Sequence, residues 1–420
     1  MLPSRGGSRR LRPGTIRATE RRPRTTSMKS SSDAAPAPAQ ARRTKSPVRV
    51  PTPTDKPDHN GWRDDDDTTV AVVTADLTEA VVPDSTPEDR KSLRLRKLLD
   101  DDDANIALAR ELCWTGIPQK FRATLWLMLM GIIPTNRSRR EQQMRKRIEE
   151  YRDFLNQAFR ENLFTGEQTK SLVQIDLDLP RTSPGLQLFH LPIVQQSLRN
   201  VLCVYSIRHP ATGYVQGMND LVTPFFYVFI SDIIGPDKDP LLIAPEDLDE
   251  SQWMRVESYS FWCLSRLMEG IQDHYTRDQP GIQWKLVSLE HLMGIIDPRL
   301  NEHLASQEVQ YSFFAYRWMN CFLMRELSLP LIVRLWDTYF SEEKGFAGFH
   351  VFVCAAFLLT FAPNLKNMDM EHILSTLQND PTSSWTEADL TAVLSHAFVL
   401  RSQHKLVDSP SSIAPSSIHR

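Results

Sequence analysis

From about residue 93 to residue 405, apolar residues recur at spacings of three and four, which is the period of an α-helix with one buried face. The alternation of apolar and polar residues that marks β-strands is essentially absent from this region. No motif repeats at a fixed period, which argues against a solenoid of repeated units. The sequence therefore predicts an all-α protein with a single large helical domain over residues 93–405.

The individual helices follow from the same pattern. They are expected at about 93–112, 121–131, 138–160, 193–208, 218–231, 256–272, 282–296, 309–326, 329–340, 346–361, 367–378 and 386–403. Residues 232–250, with several prolines among acidic residues, are expected to form a surface loop. The longest apolar segment, Phe346–Phe361, is shorter than the roughly 20 residues that cross a bilayer. We therefore expect a buried helix there and no integral membrane segment.

Residues 1–92 have few bulky apolar side chains, so little burial can offset the entropy of ordering them. They are rich in Arg, Ser and Pro and basic up to about Lys56, then turn acidic at Asp64–Asp67. We expect a disordered N-terminal arm, and a disordered tail over residues 406–420. Hydroxyls beside arginines, as in Arg21–Ser27, suit phosphorylation, which would reverse the local charge. Such a segment is more often a solvated tail without a defined role.

The composition excludes several classes of function. A net charge of −3 does not suggest a protein that binds nucleic acid. The five cysteines lie in apolar runs without a C-x-x-C pair, so we expect buried free thiols rather than disulfides or a zinc site. The first residues lack the apolar stretch of a secretory signal. A soluble protein of a reducing compartment is expected.

No motif for chemistry of the chain's own is present. The phosphate-binding pattern G-x-x-x-x-G-K-[ST] is missing, and so are G-x-G-x-x-G, G-x-S-x-G and H-E-x-x-H. Asp176 and Asp178 have no third carboxylate near them in the sequence, and the eleven histidines show no ligand spacing, so no metal site is expected. Any catalytic role must therefore use side chains that act on the substrate of another protein.

The first segment of interest is Gln174–Thr182. Pro180 lacks an amide proton and disfavours helical geometry at Leu179, so Arg181 is expected to stand at a break. Asp178, three residues earlier, is placed to brace the guanidinium so that it points outward. Taken alone, an arginine near an aspartate is more often an ordinary ion pair.

The second segment is Gly213–Asp220. Gly213 and Gly217 permit tight backbone geometry on either side of Gln216, whose amide is expected to be exposed. Asn219 or Asp220 is expected to cap the next helix. Taken alone, such a segment is more often a glycine-flanked turn with a capping polar residue.

Together with its surroundings, the chain resembles the TBC-domain family of Rab GTPase-activating proteins. The segments Arg208–Pro210 and Asn219–Phe226 are most similar to its Golgi-associated subgroup. The resemblance covers about residues 114–400. It rests on three elements in the family's order, R-x-x-x-W, I-x-x-D-x-x-R and Y-x-Q-G-M, which are here Arg122…Trp126, Ile175…Asp178…Arg181 and Tyr214–Met218. Gly116–Pro118 and Arg334–Asp337 also match the family.

The resemblance implies a TBC-type helical fold and a division of labour between two chains. Arg181 and Gln216 would be the catalytic residues, entering the site of a GTP-bound Rab GTPase in trans. Arg181 would neutralise charge on the transferring phosphoryl group, and Gln216 would orient the attacking water. The chain would need no cofactor of its own, because GTP and magnesium belong to the partner GTPase.

Supporting roles follow by position. Asp178 would orient Arg181, while Tyr214 and Gly217 would shape the turn that presents Gln216. Ile175 belongs to the same element as Arg181, and the pair Arg122 and Trp126 is expected to be structural, like Trp336–Asp337.

The resemblance also implies a place in the cell. We expect a cytoplasmic protein, peripheral at Golgi or other endomembranes and regulating vesicle traffic, with phosphorylation-dependent or Golgi adaptor partners reached through the N-terminal arm. The alternative is a Rab-binding or adaptor-binding scaffold of the same shape without catalysis. A helical adaptor unrelated to GTPases is a third hypothesis.

Overall fold

A computed structural model describes residues 86–160, 166–379 and 381–406, all within one compact unit, Glu79–Arg420. These residues form α-helices joined by short 3₁₀ turns. They contain no β-strand, only one isolated bridge between Asp103 and Asn136. The predicted all-α class is confirmed. The predicted disordered arm falls on residues 1–92 and the predicted tail on 406–420, which lie almost wholly outside the described residues.

The first half of the described chain contains eight helices. They are α1 (Pro87–Asp100), α2 (Ile106–Trp114), α3 (Gln119–Leu129), α4 (Arg137–Arg160), α5 (Gly166–Asp178), α6 (Pro192–Arg208), α7 (Met218–Leu221) and α8 (Thr223–Ile234).

The second half continues in the same way. Its helices are α9 (Glu250–Gly270), α10 (Pro280–Ile296), α11 (Pro298–Ser306), α12 (Tyr311–Cys321), α13 (Leu329–Ser341), α14 (His350–Leu365), α15 (Met370–Gln378) and α16 (Glu387–Gln403). A π-helical turn, Gly345–Phe349, leads into α14.

Three differences from the predicted helices have local causes. Helix α1 begins at Pro87, inside the range assigned to the arm, because Thr86 and Asp89 form a reciprocal capping box. Helix α5 was not predicted, because Val173 and Leu177 lie on its exposed side and blur the apolar stripe. Helix α11 was also missed, since only Leu300 and Leu304 of its nine residues are buried.

The core forms at two junctions, one around α13 and one around α9. Helix α13 packs against α2, α3 and α8, and α9 packs against α4, α6 and α8. An aromatic cluster fills the first junction: the Trp126 ring centroid lies 4.9 Å from that of Phe340 and 5.9 Å from that of Phe225. Trp336, 0% exposed, lies 5.3 Å from Phe225 in the same cluster. The predicted scaffold role of Trp336 is confirmed.

The apolar segment predicted as a buried helix is α14 with its preceding turn. Among the described residues, Gly345–Leu365 is the one stretch long and apolar enough to cross a membrane by composition. It is largely buried, because α14 packs against α10, α12 and α16. It is therefore a core helix, and it continues through Pro363 to Leu365 rather than ending near Phe361.

All five cysteines lie in described helices or loops and are buried without disulfide partners. Burial raises the pKa of the Cys113 and Cys203 thiols to about 12. The thiols are therefore protonated at neutral pH and unreactive as nucleophiles. The prediction of buried free thiols is confirmed.

Helix α9 carries a buried acid in the core. The Glu257 carboxylate accepts a hydrogen bond from the Tyr151 hydroxyl at 2.9 Å and from the Asn200 amide at 3.2 Å. Burial raises the pKa of Glu257 from 4.5 to about 7, and the hydrogen bonds oppose that rise only in part. The folded protein therefore holds this proton more tightly than the unfolded chain does.

The raised pKa of Glu257 predicts that the stability of the folded protein depends on pH. The stability that the protonated Glu257 contributes is fully present below pH 4.5, the ordinary pKa of this group. It is lost as the pH rises through about 7, the pKa of Glu257 in the folded protein. The free energy of unfolding of the wild type should fall relative to that of Glu257→Gln by about 3 kcal/mol across that window, since each pKa unit corresponds to about 1.4 kcal/mol. Urea denaturation of both proteins from pH 5 to pH 8 measures the difference, and parallel profiles would contradict it.

Candidate functional site

The end of α5 presents an arginine to solvent. Helix α5 ends at Asp178 and a 3₁₀ turn, Leu179–Arg181, follows, as the position of Pro180 predicts. The Arg181 Nη2 donates to Asp178 Oδ1 at 2.5 Å. The Arg181 side chain is 60% exposed, whereas that of Asp178 is only 2% exposed. A buried carboxylate thus fixes the direction of an exposed guanidinium.

The turn before α7 presents an amide. Gly213 and Gly217 have φ angles of 59° and 104°, in the left-handed region that glycine adopts without strain. A β-carbon at Gly217 would also lie 3.0 Å from the Asn320 amide nitrogen. Gln216 between them is exposed, and no described residue hydrogen-bonds its side chain. The predicted exposure of Gln216 is confirmed.

These two segments, far apart in the sequence, line one cavity of about 490 Å³. Arg181 and Gln216 both contribute to its wall. The other lining residues are Asp178, Ser183, Pro184, Asn219, Asp220, Met324 and Arg325. The fold thereby brings together the two side chains that the sequence analysis singled out.

A hydrogen-bond network ties the two segments to each other. The Tyr214 hydroxyl donates to Asp178 Oδ2 at 2.8 Å, so the acid that braces Arg181 also holds the turn of Gln216. Asn219 Oδ1 accepts from the Gly217 amide at 3.1 Å, and Asn219 Nδ2 donates to Thr182 Oγ1 at 3.0 Å. The 3₁₀ turn that carries Arg181 and the turn that carries Gln216 are therefore coupled through buried groups.

Tyr214 acts as a donor in this network at any physiological pH. Burial raises the pKa of its hydroxyl, and the hydrogen bond to Asp178 raises it further. A protonated phenol beside a carboxylate is a stable donor–acceptor pair.

Sequence reasoning missed part of this site. Asn219 and Asp220 were expected to cap a helix, but α7 begins at Met218 and both residues lie inside it. Asn219 instead links the two segments, and Asp220 accepts two hydrogen bonds from Arg325, at 3.1 and 2.9 Å. Arg325 belongs to no motif, and only the fold brings it to the cavity. The one signal in the sequence was the pair of polar residues following Gly217–Met218.

The R-x-x-x-W element lies away from the cavity. Arg122 Nη2 pairs with Asp337 Oδ2 at 3.1 Å, and Trp126 Nε1 donates to Asp337 Oδ1 at 2.7 Å. The Ile117 amide also donates to that carboxylate, at 2.8 Å. Burial raises the pKa of Asp337, while Arg122 and the other donors oppose the rise. Both sequence-predicted residues of this element therefore hold α3 to α13.

The remaining residues considered in the sequence analysis, Ile175 and Asp176, have structural roles outside the cavity. Ile175 is 0% exposed and anchors α5 in the core. Asp176 pairs with Arg199 at 2.6 Å and does not share a site with Asp178. Within the described ranges, no group of three or more His, Cys, Asp or Glu side chains is arranged to hold a metal ion.

A family model of the Rab-GTPase-TBC domain matches residues 119–366. The chain belongs to the Rab-GTPase-TBC domain family. The match includes all the residues that line the cavity and the Arg122–Asp337 pair, so the predicted resemblance is confirmed.

Sequence alignments with known relatives cover most of this TBC chain. It is 42% identical over 311 residues to the GTPase-activating protein gyp1 of Schizosaccharomyces pombe, covering 74% of this chain and 60% of the relative. It is 39% identical over 338 residues to human TBC1 domain family member 22B, covering 80% of this chain and 66% of the relative. The aligned region thus spans less than two thirds of these relatives.

The fold has solved counterparts. The crystal structure of the Ypt/Rab-GAP domain of Gyp1p superimposes with a TM-score of 0.70 and 39% sequence identity, covering 75% of this chain and 99% of that one. A flagellar RabGAP TBC domain from Chlamydomonas superimposes with a TM-score of 0.53 and 20% identity, which shows likeness of fold alone. The helical architecture is that of the TBC domain.

The two arginine–aspartate pairs of the motifs should contribute to stability by different amounts. Arg122→Met leaves the fully buried Asp337 without its cation, so the free energy of unfolding should fall by about 3 kcal/mol or more. Arg181→Met removes a largely exposed head group that water replaces, so the loss should be about 1 kcal/mol or less. Urea denaturation of both variants measures the contrast. Equal losses would contradict the assignment of Arg122 to the scaffold.

Proposed function

We propose that this chain is a GTPase-activating protein for a GTP-bound Rab-family GTPase, to whose active site it supplies Arg181 and Gln216 in trans. One observation carries the proposal: two exposed side chains of suitable chemistry line one cavity, and one hydrogen-bond network joins the two segments that carry them. The family and the relatives named GTPase-activating protein support the same activity. The chain's own residues contain no cradle for a nucleotide triphosphate.

Arg181 supplies positive charge. A guanidinium has five N–H donors, and Asp178 occupies one of those on Nη2. The others are free to bond the phosphoryl oxygens, on which negative charge builds as the γ-phosphoryl group is transferred. An arginine supplied in this way is worth about 10³–10⁵ in rate. Because Asp178 orients the head group before the partner arrives, little ordering of Arg181 is needed during the reaction.

Gln216 supplies an uncharged amide that both donates and accepts. Its oxygen accepts a proton of the attacking water while its nitrogen donates to a phosphoryl oxygen. The water is thereby held in line with the bond that breaks. Tyr214, Gly217 and Asn219 support this role through the turn that they shape. GTP and its magnesium ion are bound by the partner GTPase, and we propose no cofactor held by this chain.

The cellular role that fits this activity is regulation of vesicle traffic, with a cytoplasmic protein acting at Golgi or other endomembranes. Phosphorylation-dependent or adaptor partners of the arm remain a hypothesis, since residues 1–85 lie outside the described residues. A scaffold that binds a Rab without catalysis is the competing function. The presence of both Arg181 and Gln216 on the cavity wall favours catalysis.

Single-turnover GTP hydrolysis by a panel of Rab GTPases tests the proposal. Wild-type protein should accelerate hydrolysis on at least one Rab. Arg181→Ala should lower that stimulated rate by about 10³-fold. Gln216→Ala should lower it by about 10²-fold or more, by analogy with the loss of one positioned polar donor. The double variant should lose much less than the product of the two effects, because the side chains act on one transition state.

Arg199→Ala is the matched control. Arg199 pairs with Asp176 on the same helix that carries Asp178, but it does not line the cavity. It should retain the wild-type rate. If wild type and Arg181→Ala give the same rate on every Rab while both are folded, the scaffold function replaces catalysis.

A further inference from the structure

A second arginine lines the cavity that holds Arg181 and Gln216. Arg325 Nε and Nη2 both donate to Asp220 Oδ2, at 3.1 and 2.9 Å. The Arg325 side chain is 52% exposed, and that of Asp220 is 9% exposed. Because Asp220 occupies only part of the guanidinium, donors of Arg325 remain free at the cavity wall.

The backbone places Arg325 there at a conformational cost. Phe322 and Leu323 have φ angles of 51° and 64°, two successive left-handed residues of which neither is glycine. Core contacts hold this turn: the Phe322 ring stacks on His274 at 5.4 Å and meets Phe346 edge-on at 5.0 Å. Met324 and Arg325, which follow directly, both line the cavity.

The acidic and basic side chains of the cavity differ in their exposure to solvent. Asp178 and Asp220 are buried, whereas Arg181 and Arg325 are more than half exposed. The remaining lining residues are neutral. A molecule that enters this cavity therefore meets free guanidinium donors of two arginines, and the carboxylates that balance them lie beneath. Such a surface binds an anionic oxygen group.

We propose that Arg325 is a second anion-binding residue of this site, which contacts an anionic oxygen group of the GTP-bound partner. The group is either a phosphate of the nucleotide or a carboxylate on the GTPase surface. This inference rests on the proposed function, because it names a further contact in the same complex. Phosphate and carboxylate both accept paired hydrogen bonds from a planar guanidinium.

Arg325 is fixed before the partner binds. Two bonds to one oxygen hold its head group, and Asp220 is in turn held by Asn219 Nδ2 at 3.3 Å. A preset charge that meets an anion already present in the ground state stabilises ground and transition states alike. Such a contact lowers KM and leaves kcat unchanged.

The experiment compares kinetics of wild type and Arg325→Gln on the Rab that wild type stimulates. We expect KM for the GTP-bound Rab to rise about ten-fold, with kcat unchanged, since a hydrogen bond to a charged group is worth about that factor. A fall in kcat at constant KM also supports the proposal and identifies charge that develops on the transferring phosphoryl group. Unchanged kcat and KM would overturn it.

Arg255→Gln is the matched control, because it removes an arginine that is paired with a desolvated aspartate outside the cavity. Arg255 Nη2 donates to Asp232 Oδ2 at 2.5 Å, and burial raises the pKa of Asp232 while Arg255 lowers it, as in the pair of Asp220 and Arg325. Arg255 does not line the cavity. Its variant should match wild type in both kinetic constants.

A double-mutant cycle separates this role from a purely structural one. If Arg325 served only to neutralise Asp220, Arg325→Gln would have no effect in an Asp220→Asn background. If Arg325 contacts the partner, the ten-fold rise in KM persists in that background. Loss of the effect in the double variant would overturn the proposal even where the single variant is impaired.

The outcomes also distinguish failure of the role of Arg325 from failure of the proposed function. If Arg181→Ala is inactive and Arg325→Gln is normal, the proposed activity stands and the role of Arg325 is wrong. If folded wild-type protein stimulates no Rab in the panel, the proposed function fails, and the role of Arg325 in that complex fails with it.

Discussion

The buried carboxylate of Asp178 is the contact on which the candidate site depends. It accepts from Arg181 through one oxygen and from Tyr214 through the other. One side chain thus fixes an arginine at the end of α5 and the turn that carries Gln216. An acidic side chain is tolerated at such depth because charged and polar donors replace its hydration. Both segments thus share one acceptor, so the site is built as a single unit.

A buried aspartate paired with an arginine occurs at three described positions, with different consequences. Asp178, Asp220 and Asp337 are buried acids, each paired with an arginine. What differs is the exposure of the cation: the side chains of Arg181 and Arg325 are 60% and 52% exposed, and that of Arg122 is 18% exposed. A guanidinium that is itself enclosed joins helices, whereas one that remains open keeps donors for another molecule. Exposure of the arginine therefore separates scaffold from site.

The sequence predicted the helical class and the two exposed side chains, because periodicity and the Pro and Gly positions are local signals. It did not predict α5, where Val173 and Leu177 face solvent and hide the buried stripe. It also assigned Asn219 to a cap, because its actual partners, such as Thr182, are brought to it only by tertiary packing. Arg325 was out of reach for the same reason. An interaction between two distant segments leaves no recognisable pattern in the sequence of either segment.

The two side chains that we propose to act in the GTPase site are preorganised to different degrees. Arg181 is held by a charged bond, whereas no described residue hydrogen-bonds the Gln216 amide. The difference suits their tasks. A phosphoryl oxygen is a large, fixed target for a preset cation, and preorganisation there reduces the reorganisation needed during the reaction. An amide that must align with one water needs its final hydrogen bonds from the nucleotide and the water themselves. Hydrogen bonds of Tyr214 and Gly217 hold its backbone turn, while no described residue bonds its side chain.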